Sequence, residues 1–262
     1  MNSAVRDHYK GINIFITKEK AWEEHIVDGK LKFIAAHPAF STNLMDFERQ
    51  VCRMKFTPPY RKGQSSGNMR DDLEKTEIPY LVYSFYHFIV QFGHIPTLEQ
   101  VTDHYLNINC EKVEKGIYRF KKCFKVKGNP IFSSKAIKGR MYRSIFSYIR
   151  ELHLLFSLMK YEEFKVSYIF QEDLDGLDIA VEYNGQTVFI RSYVDTRRSL
   201  NWKDGKKNKR HKSAYDEKKI IDAPACGKGE KKNCKMLGQV YVNDDSSVKY
   251  IYNKVIEMCT AG

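Results

Sequence analysis

The sequence contains no CxxC pair, no internal repeat and no apolar run long enough to span a bilayer. Its N-terminus has no apolar signal core. These absences exclude a paired-cysteine zinc module, a repeat array and a helical membrane protein. The resulting expectation is a cytoplasmic chain with reduced thiols. Its six cysteines, Cys52, Cys110, Cys123, Cys226, Cys234 and Cys259, are scattered. Cys226 and Cys234 flank a Gly/Lys-rich loop, but their spacing is not that of a zinc knuckle.

What is present points to a globular protein. Of 262 residues, 42% are hydrophobic and 13% aromatic, enough for a real core in one large or two small domains. Lys and Arg number 44 against 32 Asp and Glu, a formal net charge of +12. A basic protein of this size attracts polyanions, and phosphate backbones are the commonest.

The N-terminal part reads as mainly helical. Leu44, Phe47 and Val51 recur at helical spacing between Asn43 and Met54, and residues 57–68 read as a basic loop broken by Pro-Pro and Ser-Ser-Gly. Pro79 to Phe92 is an apolar, aromatic helix that Gly93 can stop. Thr97 and Gln100 form a capping box for the next helix, whose Leu98, Val101 and Tyr105 share a face. The pair reads equally as a helix-turn-helix and as a plain α-hairpin. The segment from Glu111 to Lys127 carries Lys112, Lys115, Arg119, Lys121, Lys122, Lys125 and Lys127. As a basic helix it would lie along a phosphate backbone or form a solvated face.

Pro130 and Ser133-Ser134 mark a boundary, giving a mainly helical domain over 1–130 and a second domain over 131–262. The second opens with the longest helix, 134–160, whose apolar stripe is Ile137, Met141, Ile145, Ile149, Leu152, Phe156 and Met159. Arg143, Ser147 and Glu151 form a polar line on another face. Strands follow at 164–170, 178–183 and 186–194. The last two are joined by Asn184-Gly185, the strongest short hairpin signal, because both turn residues need positive φ. The two-residue turn fixes the register: Tyr183 faces Gln186, Ala180 faces Phe189, and Asp178 faces Arg191. Ile179, Val181, Val188 and Ile190 then share an apolar face. Residues 215–223 read as an approach into a fourth strand, 236–242 as a fifth, and a helix at 246–258 completes the pattern.

A helix bearing a Glu, a short strand, and a hairpin with Asp on one strand and a basic residue on the next resembles the PD-(D/E)XK nuclease superfamily. The resemblance covers about the last half of the chain. It implies an α/β (α+β) fold of restriction-endonuclease-like type, with a mixed central sheet flanked by helices. Asp178 matches the family's Asp, Arg191 stands where the Lys would be, and Phe189 stands where the second acidic residue would be. Some families move that carboxylate to the preceding helix, where Glu151 stands; Asp175 is a further candidate ligand. The resemblance implies a metal-dependent DNA endonuclease of restriction, mobile-element or phage type. Glu151, Asp178 and Arg191 would be catalytic, and Glu151, Asp175 and Asp178 would hold Mg²⁺ (or Mn²⁺).

The chemistry suits these residues. Phosphodiester hydrolysis needs a divalent ion, and Mg²⁺ takes few carboxylates and keeps waters and phosphate oxygens. Arg191 would stabilise developing negative charge but is a poor proton acceptor. On an isolated hairpin, Asp178 and Arg191 also read as a simple cross-strand ion pair. The basic loop after the hairpin, with Arg197, Arg198, Trp202, Lys203, Lys206, Lys207, Lys209 and Arg210, supplies phosphate contacts and one stacking surface for nucleic acid, expected to be double-stranded DNA. Two further readings stand beside the nuclease. One is a catalytically inactive nuclease-fold DNA-binding protein; the other is a protein–protein adaptor within a larger nucleic-acid machine. A homodimer or a partner subunit is compatible with either.

Overall fold

The computed structural model describes residues 3–27, 30–37, 44–59, 73, 78–122, 131–193, 219–225 and 234–260. In chain order the elements are α1 (Ser3–His8), β1 (Ile12–Ile16), β2 (Ala21–Val27), β3 (Lys30–His37), α2 (Leu44–Arg53), α3 (Leu81–Phe92), α4 (Leu98–Asn109), β4 (Cys110–Glu114), β5 (Ile117–Phe120), β6 (Ile131–Ser133), α5 (Ser134–Leu158), β7 (Lys165–Ile169), α6 (Phe170–Asp175), β8 (Ile179–Tyr183), β9 (Gln186–Tyr193), β10 (Ile220–Pro224), β11 (Cys234–Leu237), β12 (Val240–Asn243) and α7 (Asp245–Thr260). They fall into two compact units. Unit 1 is Met1–Ile14, Ala21–Ala39 and Met54–Tyr148; unit 2 is Phe15–Lys20, Phe40–Arg53 and Ile149–Gly262. Among the described residues no helix is long and apolar enough to cross a membrane.

Unit 1 is mixed rather than mainly helical. β2 and β3 pair antiparallel from Ala21↔His37 to Val27↔Lys30, with a bulge at Glu23/Glu24. α3 buries Tyr83, Phe85, Tyr86 and Ile89 and ends at Gly93, whose left-handed φ of 70° lets its N–H bond to the Ile89 carbonyl. Thr97 caps α4 through its hydroxyl, which accepts from Gln100 N at 3.2 Å. The Gln100 side chain accepts from Thr97 N at 2.9 Å, so the capping box is complete. Leu98, Val101 and Tyr105 are buried, as their spacing predicts.

The basic helix expected from Glu111 is instead a β-hairpin at its start. Cys110, which ends α4, is already extended (φ −132°, ψ 155°), and β4 pairs with β5 through Cys110↔Phe120, Glu111↔Arg119 and Lys112↔Tyr118. Gly116 (φ 76°) makes the turn, and β6 pairs with the other edge of β5. The dense lysines mask an alternation in which Tyr118 is half-buried, Arg119 exposed and Phe120 buried. Phe120 stacks on Phe132 of β6 at 4.4 Å between ring centroids.

Unit 2 is built on a mixed sheet in the order β10-β9-β8-β7. β10 lies parallel to β9, and the other pairs are antiparallel. Phe15 and Ile16 pair with Ile169 and Tyr168 of β7. The Asn184-Gly185 turn has both residues at positive φ (50° and 74°), and the pairing Tyr183↔Gln186 through Ile179↔Ile190 is the register that a two-residue turn dictates. Ile179, Val181, Val188 and Ile190 are fully buried. α5 passes from unit 1 into unit 2 and buries Ile137, Met141, Ile145, Ile149, Leu152 and Phe156 along one stripe.

Three features of unit 2 differ from the sequence expectation. The short helix α6 fills the link between β7 and β8, closed by Gly176 in the left-handed region with its N–H on the Asp173 carbonyl. The single strand expected at 236–242 is the hairpin β11–β12, turned at Gly238 (φ 58°). A Cβ there would stand 3.2 Å from the Val51 carbonyl oxygen and 3.3 Å from Cys52 Cα, so α2 and the turn approach as closely as glycine permits. Cys234 is disulfide-bonded, where reduced thiols were expected.

Candidate active site

Asp178 immediately precedes β8 and extends its ladder, its N–H donating to the Ile190 carbonyl at 3.0 Å. Its carboxylate accepts from the Ser192 backbone N–H on β9. That charge-assisted bond favours the ionised form of a side chain only 8% exposed. Glu151 comes from α5 and is 7% exposed. Of the polar line on that helix, Arg143 and Ser147 are half-buried, whereas Glu151 is withdrawn from water.

The residue that relates the two carboxylates is Arg150, 6% exposed. Its Nε donates to the Tyr241 carbonyl of β12 at 3.0 Å. Burial pulls the guanidinium down to about 10, while the negative charges of Glu151 and Asp178 hold it up. Two buried carboxylates thus act on one buried cation. Carboxylate oxygens are hard donors of the kind Mg²⁺ and Mn²⁺ take, so in donor type the pair fits the metal that the resemblance implies. Among the described residues, no set of three or more His, Cys, Asp or Glu is arranged to hold a metal ion. Asp175, the remaining candidate ligand, ends α6 half-buried.

Arg191 does not turn toward Asp178. Its Nε donates to Asp222 Oδ1 at 2.9 Å, and the two residues face each other across the parallel pair β9–β10. The cross-strand pairing with Asp178 allowed by the hairpin alone gives way to a partner on the next strand. Phe189, in the place of a second acidic residue, packs with Leu177 and Ala180, against Ile169 and Ile220. The second face of the hairpin is therefore apolar around Phe189, with the partly exposed Glu182 nearer the turn. Arg197, Arg198, Trp202, Lys203, Lys206, Lys207, Lys209 and Arg210 lie outside the described residues.

Two further clusters escape a reading of the sequence. In unit 2, Glu48 of α2 accepts from His153 Nε2 and from Lys235 Nζ, both at 2.8 Å. Burial alone would raise the Glu48 carboxyl, but the hydrogen bonds from Lys235 and His153 outweigh it and the carboxyl is lowered. Burial pulls His153 down to about 4, so it is neutral at pH 7. In unit 1, Glu23 of β2 accepts from the Tyr83 hydroxyl, and its oxygens lie 2.8 Å from His25 Nε2 and 2.9 Å from His87 Nε2. His87 Nδ1 in turn meets His104 Nε2 at 2.8 Å. Burial, and then the charge of His87, lowers His104 to about 4. Glu48 meets His153 and Lys235 across 105 and 187 residues, and Glu23 meets Tyr83 across 60, so only the neighbouring pair Glu23 and His25 is local in the chain.

No protein-family model, no curated protein and no solved structure matches this chain.

Proposed function

We propose that the chain is a metal-dependent endonuclease of the PD-(D/E)XK type, acting on double-stranded DNA, with Glu151 and Asp178 as its acidic pair. The observation that carries this reading is the buried trio itself. A helix-borne Glu and a hairpin-borne Asp act on one buried guanidinium, Arg150. Structural ion pairs are normally placed at the surface, where they need no such compensation.

Glu151 and Asp178 would hold the ion, which when bound supplies neutralisation of the scissile phosphate and activation of water. The remaining tasks belong to the chain. The Ser192 N–H donates to the Asp178 carboxylate and fixes its rotamer. Arg150 limits the mutual repulsion of the carboxylates when no substrate is present. Arg191, tethered by Asp222, is a fixed guanidinium that would stabilise developing negative charge and has no lone pair to accept a proton.

A second reading is favoured by two other observations. Phe189 is a core residue, and Arg191 already has a carboxylate partner. A protein that kept the fold and lost cleavage, binding DNA alone or as a subunit of a larger assembly, would tolerate both. Nicking of supercoiled plasmid separates the two. Metal-dependent nicking, abolished by EDTA and reduced about 100-fold or more in Asp178→Asn with DNA binding retained, is the expected result. Undiminished nicking by that variant would remove Asp178 from the site. Binding without nicking under any divalent ion would establish the second reading.

A further inference from the structure

We propose that the β4–β5 hairpin, and not helix α4, is the element through which unit 1 grips a nucleic-acid phosphate backbone. The proposal rests on the nucleic-acid reading above but not on cleavage.

The α3–turn–α4 pair invites the opposite assignment, because a helix-turn-helix presents its second helix to a groove. The surface of α4 is wrong for that role. Its twelve residues, LEQVTDHYLNIN, contain two carboxylates and no Lys or Arg. Its exposed positions are Glu99, Gln100, Asp103 and Asn107. Lys138 Nζ meets Glu99 at 2.5 Å, and Gln100 is committed to the capping box, so Asp103 is the charge this face presents. A negative face opposes a polyanion rather than steering it in.

The hairpin that follows has the complementary character. Residues 110–122 hold five basic side chains (Lys112, Lys115, Arg119, Lys121, Lys122) and two acidic ones (Glu111, Glu114). The basic residues divide by task. Lys121 Nζ donates to the Asn107 and Ile108 carbonyls at 2.8 and 3.1 Å, which satisfies the open end of α4 and fixes the hairpin to it. Arg119 is held by Glu111 at 3.2 Å. Lys112 and Lys115 are exposed, on β4 and at the Gly116 turn, and neither pairs with a carboxylate among the described residues. Between them Val113 is 48% exposed, an apolar surface at the tip that suits a sugar edge better than bulk water. A stiff hairpin with two unengaged lysines at its end, anchored by a third at its base, is built to meet a line of phosphates.

The test is a salt titration of binding to a short DNA duplex, read by fluorescence anisotropy in EDTA with the full chain. Lys112→Gln/Lys115→Gln is compared with the unmodified protein and with Glu99→Gln/Asp103→Asn. All substituted positions are exposed, and thermal melts confirm that each variant folds. The expected result is a log–log salt slope lowered by about 1.8 in the lysine variant, about 0.9 for each lost phosphate contact, and unchanged in the α4 variant. An unchanged slope in the lysine variant, with binding intact in the unmodified protein, would overturn the hairpin assignment while leaving nucleic-acid binding standing. A steeper slope on neutralising Glu99 and Asp103 would place the DNA against α4 and overturn it equally. No salt-sensitive binding by the unmodified protein would end both readings.

Discussion

A guanidinium withdrawn from water needs counter-charge close by, and Arg150 has it in Glu151 and Asp178. The dependence runs both ways: without Arg150, two buried carboxylates would lose the positive charge that both of them face. Arg150→Met should therefore cost about 3–5 kcal/mol in urea unfolding. Adding Asp178→Asn to it should recover part of that loss, since a neutral amide no longer repels Glu151. A loss within about 0.5 kcal/mol would mean that the three groups are not coupled. At this scale the sequence marks Asp178 and Glu151 but not Arg150. An Arg beside a Glu on an amphipathic helix reads as solvated surface, and only the approach of β12, whose Tyr241 carbonyl receives Nε, makes it a buried group. Phe189 is equally instructive. Against a motif it is a departure, and in the fold it is the residue that closes the hairpin's second face.

The elements that could be read in advance are those whose ends and faces are set by near neighbours in the chain. The α4 capping box, the Gly93 stop of α3 and the Asn184-Gly185 turn each need only residues within four positions of one another. Removing the cap tests that locality. Thr97→Ala frees one backbone donor at the start of α4 and should cost about 1 kcal/mol in thermal or urea unfolding, with activity unaffected. A cost near zero would show that packing of Leu98, Val101 and Tyr105 fixes the helix start without the cap. The elements that could not be read depend on distant residues. The β11–β12 turn is placed by its contact with Val51 and Cys52, almost two hundred positions earlier. β4 and β5 are short and their charged residues, Glu111, Lys112, Glu114 and Arg119, hide the alternation, so their pairing is visible only once Phe120 has Phe132 to stack on.

At the level of the molecule, the two compact units do not follow one another along the chain. Phe15–Lys20 and Phe40–Arg53 belong with the C-terminal half. No composition shift marks those crossings, because they arise from long-range contacts such as Phe15↔Ile169. Each unit also holds a histidine that is neutral in the fold, the half-buried His104 in unit 1 and the buried His153 in unit 2. Both are depressed to about 4 from an ordinary 6.5, so the unfolded chain takes up these protons first. Their contribution to stability is complete above about pH 6.5 and is lost as pH falls toward 4. Glu23 and Glu48, both lowered, add to the loss at the acid end. Urea unfolding should weaken from pH 6.5 downward, with His153 contributing at most about 1.4 kcal/mol per pH unit. His153→Gln should flatten that slope, and an unchanged slope would mean that His153 is not held neutral.

The most direct test of the central claim, that Glu151 and Asp178 form one catalytic site, is the nicking rate of Asp178→Asn, Glu151→Gln and the double variant in Mg²⁺ against the unmodified protein. Each single variant is expected to lose about 100-fold or more, and the double variant to be no worse than either. Losses that multiply in the double variant, or a Glu151→Gln enzyme as active as the unmodified one, would contradict the claim.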